Sequence, residues 1–324
     1  MFRILYVKII KSWQMKEQKL TLKDLNENEA AEDKARETLE RLRWGDRVCC
    51  PRCNGDNISK IEPNKEKKVR KGLFRCKDCR KAKRNSQFTV TVGTIFEDSH
   101  IKLNIWLQAI VLLCSSKKGM SAHQLHRQLG ITYKSAWFMA HRIRFAMEQS
   151  SFNKKLTGAV EADETYIGGA GRRIGRLTGL ENKMKVVSLV QRDGSVRSFQ
   201  VETVSAKTLK KVLTENINKK ANLMTDEHRG YIGVGRNFKS HEVVNHKKYE
   251  YVRDNAYTNT VEGFFSLLKR GVNGTYHHIS KEHLHRYLAE FDFRYNHRKI
   301  DDNDRTVKAI LGFEGKRLTY QGVN

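Results

Sequence analysis

The 324-residue chain carries 62 Lys+Arg against 36 Asp+Glu, a formal net charge of +26, with 39% hydrophobic and 9% aromatic residues. That apolar share is enough for packed cores and excludes a disordered basic tail, while the charge excess points to a polyanionic partner, most commonly nucleic acid. The longest apolar run, residues 109–114 (AIVLLC), is far below the roughly 20 residues that cross a bilayer, so no membrane partner is expected.

Residues 1–13 mix charges into apolar positions and lack a signal-peptide core, so a cytoplasmic protein is expected. Residues 21–44 read as a charged amphipathic helix, part of an N-terminal helical arm over 1–45. Five of the six cysteines then follow between 49 and 79, which in a reducing compartment points to metal rather than disulfides. Cys50-Pro-Arg-Cys53 and Cys76-Lys-Asp-Cys79 are two C-x2-C knuckles with 22 residues between them. Each tight turn aims two thiolates at one ion, and two knuckles complete a tetrahedral shell suited to structural Zn2+ with no open position for substrate. Cys49 reads as a bystander and Cys114 as a core residue. Phe88, Val90 and Val92 alternate as in a ribbon strand, which gives a zinc ribbon over 46–98.

Residues 99–150 read as helices. Within 120–147, Ser121 and Gln124 are spaced as a capping box, Gly130 ends one helix, and Thr132 caps the next. Such a pair fits a helix-turn-helix, with Tyr133, Lys134 and Ser135 at the end that reads base edges. Ala136, Met139, Ala140, Ile143 and Met147 form the buried face. An ordinary helical hairpin shows the same pattern; the charge and the ribbon favour DNA.

Strands and helices alternate over 157–298. Along 159–166, Glu161, Asp163 and Thr165 share one strand face and Glu164 takes the other. Strands 185–191 and 196–202 are joined by the hairpin pair Asp193-Gly194; a helix over 205–217 leads to a short apolar strand closing on Asp226, and 240–246 is a fifth strand. In the helix over 259–271, Val261, Phe264, Phe265 and Leu268 form an apolar stripe, while Asn259, Glu262, Ser266 and Lys269 form a polar one. The whole order is α+β. Clustered carboxylates repel unless a cation joins them, and hard oxygen ligands suit two Mg2+ or Mn2+ ions acting on a phosphodiester. The stretch 168–176 reads as a basic hairpin connection, His277-His278 as a surface pair with DNA or metal as the alternative, and Glu290 with Arg294 as an i,i+4 ion pair. Leu284, Tyr287, Leu288, Phe291 and Tyr295 form a core stripe.

The strings VEADETYIGG (160–169), TDEHRGY (225–231), NTVEGFFSLLKRGVNGTYHH (259–278) and HLHRYLAEFDFRYNHR (283–298), with FRCKDCRKAKRNSQFTVTVGTIFEDSHIKLNIW (74–106), closely resemble bacterial insertion-sequence DDE transposases that carry an N-terminal zinc ribbon. The resemblance spans roughly residues 45–300. It implies a ribonuclease-H-like catalytic domain over 151–324, two divalent ions, cleavage at transposon ends, and strand transfer into target DNA by the freed 3′-hydroxyl. Asp163 matches the first acid and Asp226 the second; Glu262 is taken as the third, with Asn259 as the alternative because some relatives use asparagine there. Lys269 lies on the same stripe, where it can meet DNA phosphate. The implied partners are double-stranded DNA and, because two ends are synapsed, further copies of the chain on that DNA, in a nucleoid-associated bacterial protein. The rival readings are a catalytically inactive DNA-binding regulator and a structure-specific nuclease of the same fold.

Overall fold

A computed structural model describes residues 22–25, 29–148, 154–168, 183–246, 249–250, 252–319 and 322. They divide into two units: one holds the residues up to Ser116, Ala122–Met147 and those from Ile300 on, the other Lys117–Ser121 and Glu148–Lys299. The start of the helical arm and most of the connection expected at 168–176 lie outside the described residues.

The first unit begins with a short 3-10 turn, Leu22–Leu25, and helix α1, Glu29–Trp44. Ala31, Ala35, Thr38 and Leu39 are buried, the i, i+4, i+7, i+8 stripe that seats a surface helix. The ribbon is a three-stranded antiparallel sheet of β1 (Ile58–Ile61), β2 (Leu73–Cys76) and β3 (Gln87–Phe88), with the short helix α2 (Lys77–Lys81) after β2. Trp44 closes one side, edge-on to Phe74 at 5.3 Å and Phe88 at 5.9 Å. The strand expected to run through Val90 and Val92 ends at Phe88. Arg43 Nη1 donates to the carbonyls of both Val90 and Val92 at 2.7 Å, and the backbone there folds into turns (Val92 N–H to Thr89 O, 3.2 Å) instead of a ladder.

Helix α3, Leu103–Ser115, buries Trp106, Leu107, Ile110 and Leu113, and Cys114 lies in that core as expected. Helices α4 (Ala122–Leu129) and α5 (Tyr133–Met147) are joined by a three-residue turn in which Gly130 has φ +63°, the left-handed cap that glycine adopts without strain. Thr132 Oγ1 accepts from Ser135 N–H at 3.2 Å, which caps α5. All five residues expected on the buried face of α5 are 2% exposed or less. A helix the sequence reading did not anticipate, Asp302–Leu311, is capped by Asp301 and buries Val307 and Ile310. It packs on α3 and α1, so residues from Ile300 onward join the N-terminal unit and not the catalytic body to which 151–324 was assigned.

The second unit is a five-stranded sheet in the order β6-β5-β4-β7-β8, formed by β4 (Ala159–Ile167), β5 (Met184–Gln191), β6 (Val196–Val201), β7 (Asn222–Thr225) and β8 (Ser240–Val243). β4 to β6 are antiparallel; β7 runs parallel to β4, and β8 parallel to β7. Asp193, at φ +57°, turns the β5–β6 hairpin where expected. One sheet face is covered by α6 (Ala206–Asn216) and α7 (Arg229–Gly235) over Val160, Ala162, Leu189 and Leu223. The other is covered by α8 (Asn259–Gly271) and α9 (Leu284–Asn296) over Ile167, Val186 and Val190. Val261, Phe264, Phe265 and Leu268 are buried there, as are four of the five residues of the expected 284–295 stripe, with Tyr295 packed at its edge. The expected i,i+4 ion pair of Glu290 and Arg294 is present and buried (0% and 6% exposed side chains), and Tyr276 donates to Glu290 at 2.8 Å.

Candidate active site and metal centres

The two knuckles bring their sulfurs together: Cys50 to Cys79 is 3.8 Å, Cys53 to Cys76 is 3.6 Å, and all four lie within 4.8 Å of one another. A disulfide would stand near 2.05 Å, whereas a tetrahedral shell with Zn–S near 2.3 Å has S–S edges of about 3.8 Å. The donor set therefore fits one tetrahedral thiophilic ion. As a bare thiol Cys79 is pushed up to about 12, first by its hydrogen bond with the Cys53 sulfur and then by burial, whereas Cys50, despite burial, is held below its ordinary value by backbone hydrogen bonds of Arg52 and Cys53. Cys49 lies outside the set.

In the second unit, strand register explains the first acidic contact. β4 and β7 pair Ala159 with Asn222, Val160 with Leu223 and Glu161 with Met224. Continued two residues, that parallel register sets Asp163 beside Asp226, which lies just past the end of β7. Asp163, Glu164 and Asp226 each offer a carboxylate oxygen within 4.8 Å of the others. Burial, then the charges of Asp226 and Glu164, raise Asp163 to about 8. Asp226 Oδ1 accepts the His228 amide at 3.1 Å. Glu164, on the other strand face as expected, reaches the cluster from the α7 side, where Tyr231 donates to it at 2.8 Å and His228 stands 3.9 Å away. Its carboxyl is also raised, chiefly by burial.

Glu262 is not in that close set, although its charge contributes to raising Asp163. Its Oε1 is occupied by the buried Thr258 hydroxyl at 2.9 Å, with His246 Nε2 at 3.5 Å. Asn259 is exposed at the start of the same helix. Lys269 is exposed seven residues beyond Glu262, about 10 Å along the helix on the same stripe.

The sequence reading missed the role of Glu161. This fully buried carboxylate accepts the amides of Thr260 (2.8 Å) and Val261 (3.0 Å) and the Thr260 hydroxyl (2.8 Å) at the N-terminus of α8. Arg192 Nε donates to it at 2.7 Å, then grips the carbonyls of Asn255 (2.8 Å) and Tyr257 (2.9 Å) and lies 3.4 Å from the Tyr257 ring centre. Two residues before Asp163 on β4, Glu161 thus fixes the start of the helix that carries Glu262. Caps at helix N-termini are carboxylate sites, so the arrangement is favourable on both counts.

In the first unit, Tyr133 is 44% exposed and stacked on His123 at 4.3 Å, and Lys134 is exposed beside it. Ser135 is drawn into the cap, its hydroxyl accepting from Thr132 Oγ1 at 2.9 Å. Among the described residues, no helix is long and apolar enough to cross a membrane.

Residues 30–82 match the model of a transposase zinc-ribbon domain, and residues 155–296 match that of an ISXO2-like transposase domain. The chain is 26% identical over 286 residues, 82% of its own length and 90% of the relative, to an uncharacterized protein in transposable element ISH50 of Halobacterium salinarum. It is also 26% identical over 116 residues, 36% of its length and 93% of the relative, to an uncharacterized transposase-like protein of Haemophilus influenzae.

Proposed function

The chain belongs to the insertion-sequence transposases that join a zinc ribbon to an ISXO2-like transposase domain, and on that premise we propose that it cuts DNA at element ends and joins the freed 3′-hydroxyl to a target strand. The observation that carries this reading is the meeting of Asp163, Glu164 and Asp226 within 4.8 Å in a chain of net charge +26. The strand order, with three antiparallel strands followed by two parallel ones, supports a ribonuclease-H-like body.

Asp163 and Asp226 are the residues that would hold a divalent cation, with Glu164 the nearest further ligand. Glu262, or Asn259 one helical turn away, would complete the set if α8 settles inward. A cation bound there supplies charge neutralisation at phosphorus and a more acidic water or hydroxyl. The chain's own part is to hold the carboxylates in register, and to keep a proton on Asp163 near neutral pH until it is displaced. Glu161 and Arg192 act as positioning residues for α8. The ribbon thiolates would hold zinc as a structural ion. Tyr133 and Lys134, with Lys269, would meet DNA.

The experiment is a cleavage and joining assay on labelled DNA carrying the inverted repeats that flank the gene, with Mg2+. A transposase cleaves and joins, and Asp163→Asn loses both by about 10^3-fold or more while keeping its fold. A nuclease cleaves without joining; a regulator binds without cutting. Full activity in Asp163→Asn overturns the assignment.

A further inference from the structure

Past the acidic cluster, β4 continues along the same face through Thr165 to Ile167, about 13 Å beyond Asp163 at the usual strand rise. There, between the ends of β4, β5 and β6 and the segment after α8, lies a cavity of about 620 Å3. Its floor is apolar, made by Ile167, Val272 and Ile279 of the α8/α9 core and by Met184 packed against that core. Its rim is cationic or imidazole-bearing, with Lys183, Lys281, His277 and His278. The acid on this rim, Glu202, is tied to Lys281 at 2.8 Å.

The wall formed by the segment after α8 is built at a cost. α8 gives way to a five-residue π-helical turn, Val272–Tyr276, and the next residue, His277, has φ +59°. Both features are uncommon for these residue types and gather at functional sites. His277 is not among the residues that meet at the acidic cluster.

A concavity of this size lies in the range of small-ligand sites. It is too confined for a duplex, and its apolar floor under a cationic rim suits one base with its flanking phosphates. We propose that this cavity seats an unpaired nucleotide of the DNA strand that crosses Asp163 and Asp226. The proposal rests on the transposase reading for its ligand, and on the cavity's place along β4 from Asp163 on the same strand face.

The test is fluorescence anisotropy of the full-length chain with a labelled oligonucleotide, offered as a single strand and as a blunt duplex without metal. Gln200→Trp, on β6 at the cavity lining, fills the space with a residue that strands accept. It should weaken single-strand binding about tenfold and duplex binding less than about twofold. Lys183→Gln with Lys281→Gln leaves the floor untouched and should also favour the duplex over the single strand. Single-strand affinity within twofold of the parent in both variants, or equal losses on both DNAs, overturns the proposal. Cleavage is scored separately with Mg2+ on the parent protein. A parent that never cuts while Gln200→Trp loses single-strand binding keeps this site and sinks the transposase reading; a cutting parent whose variants bind normally does the reverse.

Discussion

Glu161 shows how a single residue links strand and helix. Its carboxylate is 0% exposed and satisfied by two amides, a hydroxyl and Arg192, so removing it leaves a cation and the first amides of α8 without their partner. Glu161→Ala is expected to cost about 3–5 kcal/mol in a denaturant melt. Glu161→Gln keeps an acceptor for the α8 amides and should cost less, but should slow end cleavage about 10–100-fold, as misplaced supporting residues of metal sites do. Wild-type cleavage by Glu161→Gln would mean that the clamp is structural only. The alternation that put Glu161 on the same face as Asp163 was legible in the sequence. Its partners were not, because Thr260 lies 99 residues further along and only the fold brings it near. Glu164 takes the opposite face, as alternation required, but its meeting with Asp163 and Asp226 was not legible, because alternation says where a side chain starts and not how far it reaches.

The same contrast holds for whole elements. Helices were readable from local period: the stripes on α5, α8 and α9 are buried as expected. The ribbon's knuckles were readable from spacing, but its last strand was not, since Arg43, from α1, supplies the hydrogen bonds that bend residues 90–92 into turns. Because the ribbon core is small (Cys50, Phe74, Cys76, Cys79 and Phe88 with a few neighbours), the ion should carry much of its stability. A chelator, or Cys76→Ser, is expected to lower the melting temperature of the first unit and release one zinc per chain; a chain that melts unchanged after chelation would rule out a structural ion. At the helix pair, Lys134→Gln should weaken DNA binding at all sequences alike and reduce the salt slope by about 0.9, the signature of one lost phosphate contact. An unchanged slope would place α5 away from the backbone.

At the scale of the molecule, the charge excess pointed to a polyanionic partner and the order of elements along the chain was readable from local patterns, yet two features needed the assembled fold. Asp163 and Asp226 meet because of a parallel register between β4 and β7, which no local pattern encodes. The helix Asp302–Leu311 returns to α3, so the chain's last segment completes the first unit. The raised Asp163 carboxyl gives the active-site account its sign. The folded chain holds a proton that the unfolded chain releases between about 4 and 8, so this group lowers metal-free stability as pH rises through that window. A divalent cation takes the deprotonated form; its affinity should therefore rise with pH up to about 8, with a proton released on binding below it. The most direct measurement is a calorimetric Mn2+ titration of the zinc-loaded protein at pH 6 and pH 8.5, alongside Asp163→Asn and Asp226→Asn. Binding should be tighter at pH 8.5, the buffer should take up protons at pH 6, and both variants should lose the site; equal binding by parent and variants, or none by the parent at either pH, would contradict a metal site at Asp163 and Asp226.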